Sequence, residues 1–387
     1  MKISKAILFF ATLLITNLNA QDLPPELLER MPAEIEKIMA EKEEKSKDYD
    51  YETIQEFLDE GEYETNDGFM KLHIKAEDDE YFLELDKNDL EKEFIYFAYV
   101  LNAPQAAGLR GGAIGQGAVL EFRRFKDEIA LFKKNTNFSN ETDNNIGKAD
   151  LTNIVEAFLD SFEVVVEEGE SMVISLGDLF LSETLTSISP NIPGEYRDFV
   201  DLDLGRLDDG KTFINQVRNY PKNTAVEVTF GFSNSRPNQR NAVYAVADAR
   251  FTSIVARHLF VEMPDDQFNP RVADQRVGYF SQRVTDLSTY DNYPQRDLIN
   301  KWRLIKKDPE AELSEPVNPI VFWVEKSTPE EIKPMVVKGI EAWNFAFERA
   351  GFKNAVVAKI QPDDADWDAG DIQYNVVRWS SSPRPAF

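Results

Sequence analysis

The sequence contains no cysteine and only two histidines, His73 and His258, among its 387 residues. The absence of cysteine excludes disulfide bonds, thiolate metal sites, cysteine nucleophiles and a lipid anchor attached through cysteine. A catalytic zinc usually takes three protein ligands, mostly histidine, and two of them are often one helical turn apart. Because the two histidines are 185 residues apart, we interpret each as a surface or core histidine that binds no metal.

Basic residues are also scarce, with 43 Lys and Arg against 69 Asp and Glu, for a formal net charge of −26. Such a charge repels phosphate groups and therefore argues against nucleic acid or an anionic membrane as a partner. It suits a soluble exported protein. The hydrophobic content of 42%, which includes 27 Phe, predicts that most of the chain folds, and its length allows two or three domains.

Long apolar runs are absent beyond the N-terminus. There, Lys2 and Lys5 precede an apolar stretch of eleven residues, 6–16, which is too short to span a bilayer. A cleavage site after Ala20 completes the pattern of a signal peptide over residues 1–20. The sequence therefore predicts export to the periplasm, the outer surface or the medium, without a membrane span after cleavage. The alternative is an uncleaved N-terminal anchor.

An acidic helical lead-in is predicted over residues 21–65, which hold 16 acids and 5 bases. Four apolar residues in a 3-4-3 spacing share one face of a predicted helix: Leu28, Met31, Ile35 and Ile38. A second short helix is predicted to contain Ile54, Phe57 and Leu58. The segment is interpreted either as a solvated stretch of charge or as a pro-segment that packs on the rest of the protein.

A β-rich domain is predicted over residues 66–261, because apolar and polar residues alternate with a period of two from Met70 onward. Residues 70–74 and 81–85 are predicted to form a hairpin, with His73 on its polar side. Further strand candidates are 94–101, 118–125, 128–132, 162–166, 172–176, 225–230, 243–247 and 251–255, with helices at 151–159 and 212–219. Short strands separated by polar turns indicate an antiparallel sandwich or barrel.

Residues 262–318 are rich in Pro, Asp and Arg and weakly periodic, which predicts an ordered linker over the surface. The pattern of residues 319–387 then predicts a strand, a helix, a strand, an acidic turn and a strand. In the helix, Val336, Ile340, Trp343, Phe347 and Ala350 recur at helical spacing. Thr328 is the predicted N-cap, and Gly351 is placed for the left-handed residue after the helix. The unit is a half-domain of α/β type.

Two further stretches suggest ligand sites. Five glycines between Gly108 and Gly117 superficially resemble a phosphate cradle, but a strand follows them and no Lys closes the loop, so we interpret them as a connection between strands. The acidic residues of 364–371 resemble a calcium loop with Ala369 in place of the required glycine and no later Glu. This stretch is interpreted as an acidic surface turn, with calcium binding as the alternative.

Longer motifs between residues 269 and 352 resemble a family of large bacterial exported zinc-dependent metallopeptidases. The stretches that carry the resemblance are Asn269–Phe280, Asn300–Leu304, Lys306–Pro309, Leu313–Pro316, Gly339–Asn344 and Ala350–Phe352. In that family, β-rich N-terminal domains of unknown function precede a metzincin-like catalytic domain. The resemblance covers about residues 67–379 and implies that 319–387 is the N-terminal half of such a catalytic domain. The motif Arg271–Phe280 has no assigned role, and packing between the two parts is the default interpretation.

The resemblance implies a zinc ion, a His-Glu-x-x-His helix and a peptide or protein substrate, but no position of this sequence matches those catalytic residues. We therefore assign no catalytic, cofactor-binding or metal-binding residue. The expected function is that of an exported zinc metallopeptidase, in a truncated form that lacks the catalytic helix and is inactive alone. The alternative is a non-catalytic exported module that binds protein or glycan.

Overall fold

The computed structural model describes residues 49, 51–75, 77, 80–115, 117–140, 145–146, 153–189, 201–237, 245–265 and 268–381. The chain divides into two compact units, Met1–Tyr51 and Glu52–Phe387, and the second contains every element given below. The predicted signal peptide and the helix with Leu28 and Ile38 lie outside the described residues. Within the described residues, no helix is long and apolar enough to cross a membrane.

The second unit opens with helix α1 (Ile54–Gly61), which confirms the short helix predicted around Phe57. The Thr53 side chain caps it by accepting a hydrogen bond from the backbone NH of Glu56, and Glu62 ends it in the left-handed conformation. Phe57 is fully buried and meets the ring of Phe82 edge-on at 4.9 Å. The apolar side of α1 therefore anchors it to the hairpin that follows.

Most of the second unit is one antiparallel sheet of twelve strands. Its strands, together with the short β7, are β1 (Glu64–Asn66), β2 (Lys71–Lys75), β3 (Glu80–Asp86), β4 (Glu93–Asn102), β5 (Ala118–Phe125), β6 (Glu128–Lys133), β7 (Phe138–Ser139), β8 (Ala157–Glu168), β9 (Ser171–Ser175), β10 (Arg206–Leu207), β11 (Phe213–Tyr220), β12 (Asn223–Ser233) and β13 (Phe251–Glu262). Strand order is β1-β2-β3-β9-β8-β6-β5-β4-β13-β12-β10, and β11 pairs with β12 on the same edge as β10, nearer the start of β12. The predicted hairpin is β2–β3, with Leu72 opposite Leu83.

The sheet curls until its first strands meet its last. The backbone NH of Phe69 donates to the carbonyl of Tyr220 at 2.9 Å, and the Asn219 side chain caps the carbonyls of Asn66 and Met70. Side chains from β2 through β13 fill one continuous core, whose largest fully buried members include Tyr96, Phe180, Phe230 and Phe232. The chain is therefore a β-rich α+β protein with a large antiparallel sheet.

Several predicted elements are wrong. Residues 212–219 are not a helix but lie almost wholly in strand β11, and the described part of 151–159 is extended chain that enters β8. In both segments β-branched and aromatic residues lie beside a partner strand, which favours strand pairing. The predicted strand 243–247 is a turn in its described residues, 245–247.

Residues 268–303 form an arm, which contains the hairpin β14 (Ser281–Asp286) and β15 (Gln295–Ile299). Strand β7 joins this hairpin in parallel with β14. The motif Arg271–Phe280 runs beside β15, since Ala273 NH donates to the carbonyl of Asp297 and Ile299 NH donates to that of Arg271. Residues 281–299, within the segment predicted to be an ordered linker, thus form paired strands.

The α/β unit follows, with β16 (Ile320–Val324), α2 (Lys333–Glu341), α3 (Asn344–Arg349), β17 (Val356–Ile360) and β18 (Asn375–Val377). The three strands are parallel, in the order β17-β16-β18. This confirms the predicted sequence of strand, helix, strand, acidic turn and strand. The helix is interrupted at Ala342 and Trp343, and it begins at Lys333, so Ile332 and not Thr328 is its N-cap.

The C-terminal end of α3 confirms the predicted left-handed glycine. Gly351 has a φ of +91°, and the NH of Phe352 donates to the carbonyl of Phe347 at 2.9 Å. Phe347 and Phe352 both pack against the small core of the unit. This hydrogen bond and apolar contact form the usual end of a helix at glycine.

Candidate functional site

His73 lies on the side of the hairpin that the alternation predicted to be polar, with Lys71 and Glu84, but it is fully buried there beside Phe57 of α1. Its Nε2 lies 3.0 Å from Oε2 of Glu84 and its Nδ1 lies 3.0 Å from Oγ1 of Thr65. Burial lowers the pKa of His73, and the hydrogen bond to Glu84 only partly offsets it. A carboxylate only accepts, so Nε2 carries the proton and Nδ1 accepts from the Thr65 hydroxyl. Both ring nitrogens are therefore occupied within the protein.

His258 is fully buried in β13, among aromatic side chains. Its Nδ1 lies 2.8 Å from the hydroxyl of Tyr96, and burial lowers the pKa of His258 to about 4. Burial also raises the pKa of Tyr96, so the neutral phenol donates to the neutral imidazole. Nε2 of His258 has no hydrogen-bond partner among the described residues.

Neither histidine fits the zinc ion that the resemblance implies. They lie on different strands, β2 and β13; His73 is hydrogen-bonded to the Glu84 carboxylate, and His258 is packed among aromatic side chains. No group of three or more His, Asp or Glu side chains is placed to hold a metal ion in the part of the chain that the structure describes.

The acidic turn is bound to the large sheet. Oδ1 of Asp368 accepts hydrogen bonds from the Tyr220 hydroxyl at 2.8 Å and from the NH of Gly370 at 2.6 Å, and Oδ2 is paired with Arg218. Burial raises the pKa of Asp368, but the hydrogen bonds and the Arg218 charge outweigh it and hold that pKa below its usual value. The carboxylate that would be central to a calcium loop is therefore occupied by protein donors.

The α/β unit exposes much of its apolar surface. Only three residues form its buried cluster, Ile320, Ala355 and Val356. An open groove of about 580 Å³ lies between α2 and β17, lined by Pro334, Val337, Lys338, Glu341, Ala342 and Ile360. Beside it, Trp343 is 65% exposed and Phe345 is 66% exposed. Exposed apolar patches of this kind mark surfaces that other protein covers or that bind a ligand.

The carboxyl ends of the parallel strands carry a polar cluster that the sequence did not indicate. Glu325 follows β16 and accepts hydrogen bonds from the Ser327 hydroxyl at 2.7 Å and from Nε of Arg378 at 3.1 Å. Ligands of open α/β sheets usually bind at this edge. Glu325, Ser327 and Arg378 therefore form a polar rim at this edge.

A family model described as a domain of unknown function, DUF5117, matches residues 111–307. The chain belongs to this family. The match begins in the glycine-rich loop and ends just after the arm, so the α/β unit lies outside it. The comparisons with curated proteins and with solved structures found no match.

Within the DUF5117 region, the arm presents exposed aromatic side chains. Tyr290 and Tyr293 lie at the tip of the β14–β15 hairpin and are 90% and 82% exposed, and Phe280 at the base is 88% exposed. Nearby guanidinium groups are paired, as in Arg283 with Asp297 at 2.8 Å. Tyrosine and arginine are enriched at protein interfaces, so the arm has the composition of an interaction surface.

The glycine-rich loop at the start of the DUF5117 match folds back along β4. The NH of Gly112 donates to the carbonyl of Val100 and the NH of Gly115 to that of Ala98, both at 2.7 Å. These amides are therefore unavailable to cradle a phosphate, as the lack of a closing Lys predicted.

Proposed function

We propose that this DUF5117 protein is an exported zinc-dependent metallopeptidase that hydrolyses peptide bonds, and that residues 52–381 carry its scaffold and the first half of its metzincin-like catalytic domain. The zinc ligands would come from residues outside this sequence, since both histidines are buried in the large sheet. Catalytic steps are therefore not assigned to any side chain of this chain.

One observation carries the proposal: the α/β unit has an unfinished core. Parallel sheets are normally covered on both faces, yet this one buries three residues in its cluster and leaves Trp343, Phe345 and Met335 largely exposed. Such a unit gains free energy when further protein covers it, at roughly 25 cal/mol for each Å² of apolar surface buried. A second half of a catalytic domain is the occupant that the motifs of residues 339–352 indicate.

Export is part of the same proposal and is supported by the sequence alone. The pattern of Lys2, Lys5 and the short apolar stretch that follows is typical of a signal peptide, and the absence of cysteine is compatible with an oxidising compartment.

The proposal is tested by peptide hydrolysis. We expect the 387-residue chain to cleave casein no faster with added zinc than with a chelator. We also expect the gene to encode a His-Glu-x-x-His helix within roughly a hundred codons beyond codon 387, because that helix supplies the zinc ligands. The product that includes this helix should cleave casein in a chelator-sensitive manner.

Either of two results would overturn the proposal. One is robust, chelator-sensitive cleavage by the 387-residue chain itself. The other is a genuine stop at codon 387 with no such helix encoded nearby. A variant of the longer product with Glu→Gln in that helix is the matched control, because it keeps the histidines but removes the carboxylate that activates water.

A second candidate is a non-catalytic exported module that binds protein or glycan, and the exposed aromatic residues of the arm favour it. Here we expect the chain to bind immobilised casein or a soluble polysaccharide and to lose that binding in the Tyr290→Ala, Tyr293→Ala double variant. Asn292→Ala, in the same exposed tip, should bind as the wild type does. Equal binding by both variants would exclude the arm as the binding surface.

A further inference from the structure

The large sheet and the α/β unit are joined at one small cluster of side chains. Among the described residues, every hydrogen bond that links the two directly involves the segment Asp368–Ile372. The Asp368 carboxylate accepts a hydrogen bond from Tyr220 and is paired with Arg218, and both residues lie at the end of β11. Arg218 and Tyr220 lie two residues apart on that strand and so point to the same side of the sheet.

Asn223, at the start of β12, forms the second half of this junction. Its side-chain amide donates to the carbonyl of Gly370 at 3.0 Å and accepts from the NH of Ile372 at 2.9 Å. The residue is fully buried, so its loss would leave two backbone groups without partners. Gly370 allows the close approach, because a Cβ there would lie 2.7 Å from the Tyr220 hydroxyl and one of the two would have to shift.

The junction also adjoins the aromatic residues that lead into β18. Trp367 precedes Asp368 and stacks on Tyr374, with ring centroids 3.8 Å apart and an angle of 4°. Trp323 of β16 meets Trp367 edge-on at 5.2 Å. Asp368 therefore holds one end of a loop whose aromatic residues pack on the central strand of the parallel sheet.

We propose that Asp368 is a positioning residue. It attaches the α/β unit to the large sheet, and the α/β unit is ordered only while this attachment holds. The small core of the unit cannot by itself order the loop 361–374, whereas Asp368 ties that loop to a strand of the large core. The attachment also sets the direction of β18 relative to the large sheet. The inference does not depend on the zinc-peptidase proposal, because it concerns contacts within this chain.

The distribution of tryptophan makes the test selective. All five Trp lie between residues 302 and 379, so Trp fluorescence reports on the C-terminal part, while far-UV circular dichroism is dominated by the large sheet. For Asp368→Ala we expect Trp emission to lose its native signal at a lower urea concentration than the circular dichroism signal. Trypsin should cleave within residues 326–378 about tenfold faster, as expected for loss of a charged hydrogen bond.

Three variants separate positioning from general destabilisation. Asp364→Ala, in the same turn, should behave as wild type. Asp368→Asn keeps an oxygen for Tyr220 and Gly370 but loses the Arg218 ion pair, so it should fall between wild type and Asp368→Ala. Trp367→Phe identifies the stacked Trp in the near-UV spectrum, and this band should be lost in Asp368→Ala. Coincident Trp and circular dichroism transitions in Asp368→Ala, or an unchanged Trp367 band, would overturn the proposal.

Discussion

The large antiparallel sheet and the α/β unit differ in how completely they bury their apolar side chains. In the sheet, alternate side chains of strands β2 to β13 enter one continuous core, and bulky residues such as Tyr96 and Phe230 are fully buried. In the α/β unit, helix α2 packs on β16 and β17, yet Trp343 and Phe345 remain mostly exposed.

The difference follows from how each sheet is covered. A curled antiparallel sheet covers its own inner face, and residues between its strands, such as Phe180, complete that core. A parallel sheet of three strands depends on what lies on both of its faces. The two regions should therefore differ in stability and in their response to substitution, and three experiments address this difference.

The largest effect is expected from truncating aromatic side chains in the two regions. Phe230→Ala should lower the free energy of unfolding by about 3–5 kcal/mol, because it leaves a cavity in the large core. Trp343→Ala should change it by less than about 0.5 kcal/mol, since this side chain is mostly in solvent. Urea unfolding followed by circular dichroism measures both. A large loss in Trp343→Ala would mean that Trp343 is covered, for example by self-association.

The second effect concerns pH and is confined to the large sheet. The pKa of His258 is lowered from 6.5 to about 4 in the folded protein, so the unfolded chain binds more protons between these values. Stability from His258 is thus fully present above pH 6.5 and is lost as the pH falls towards 4, by about 3 kcal/mol in total.

The control for this prediction is His258→Leu, which removes the titrating group. Carboxylates titrate in both proteins, so the informative quantity is the difference between the two curves of unfolding free energy against pH. That difference should change by about 3 kcal/mol between pH 6.5 and 4. Parallel curves over this range would show that His258 is not the group responsible.

The smallest effect compares two glycines within the α/β unit. Gly351→Ala should destabilise the unit by about 1 kcal/mol or more, because φ is +91° and the added Cβ would lie 2.9 Å from the Glu312 carbonyl. Gly339→Ala should stabilise it by about 0.5–1 kcal/mol, since this position is inside α2 and no atom lies within 4 Å of the new Cβ. Thermal unfolding followed by Trp fluorescence measures both. Stability changes in the same direction for the two variants would contradict the prediction.

The fold was predicted best where local pattern and tertiary environment agree. The limits of β5, the β2–β3 hairpin and the helix end at Gly351 follow from alternation or from glycine conformation, which depend on neighbouring residues. The prediction failed for β11 and for the start of β8, where spacing allowed a helix and a neighbouring strand supplied backbone partners. Short amphipathic segments do not encode that choice locally.

The junction residues show the same limit. Asp368 was noted as part of an acidic turn, but nothing nearby in sequence indicated Arg218, Tyr220 or Asn223, which lie almost 150 residues earlier. Likewise, the alternation placed His73 on the polar side of its hairpin, although Thr65 and Glu84 pair with both ring nitrogens in a buried position.

By itself the sequence determined the β-rich class, the order of elements in the α/β unit, the lack of cysteine chemistry and the scarcity of histidine, because these depend on composition and short-range periodicity. Only the tertiary structure decided that His73 and His258 are both buried, that the acidic turn is held by the large sheet, and that Trp343, between α2 and α3, is left exposed. Burial and charge pairing arise from residues distant in the chain, and their positions are set only when the whole sheet has curled.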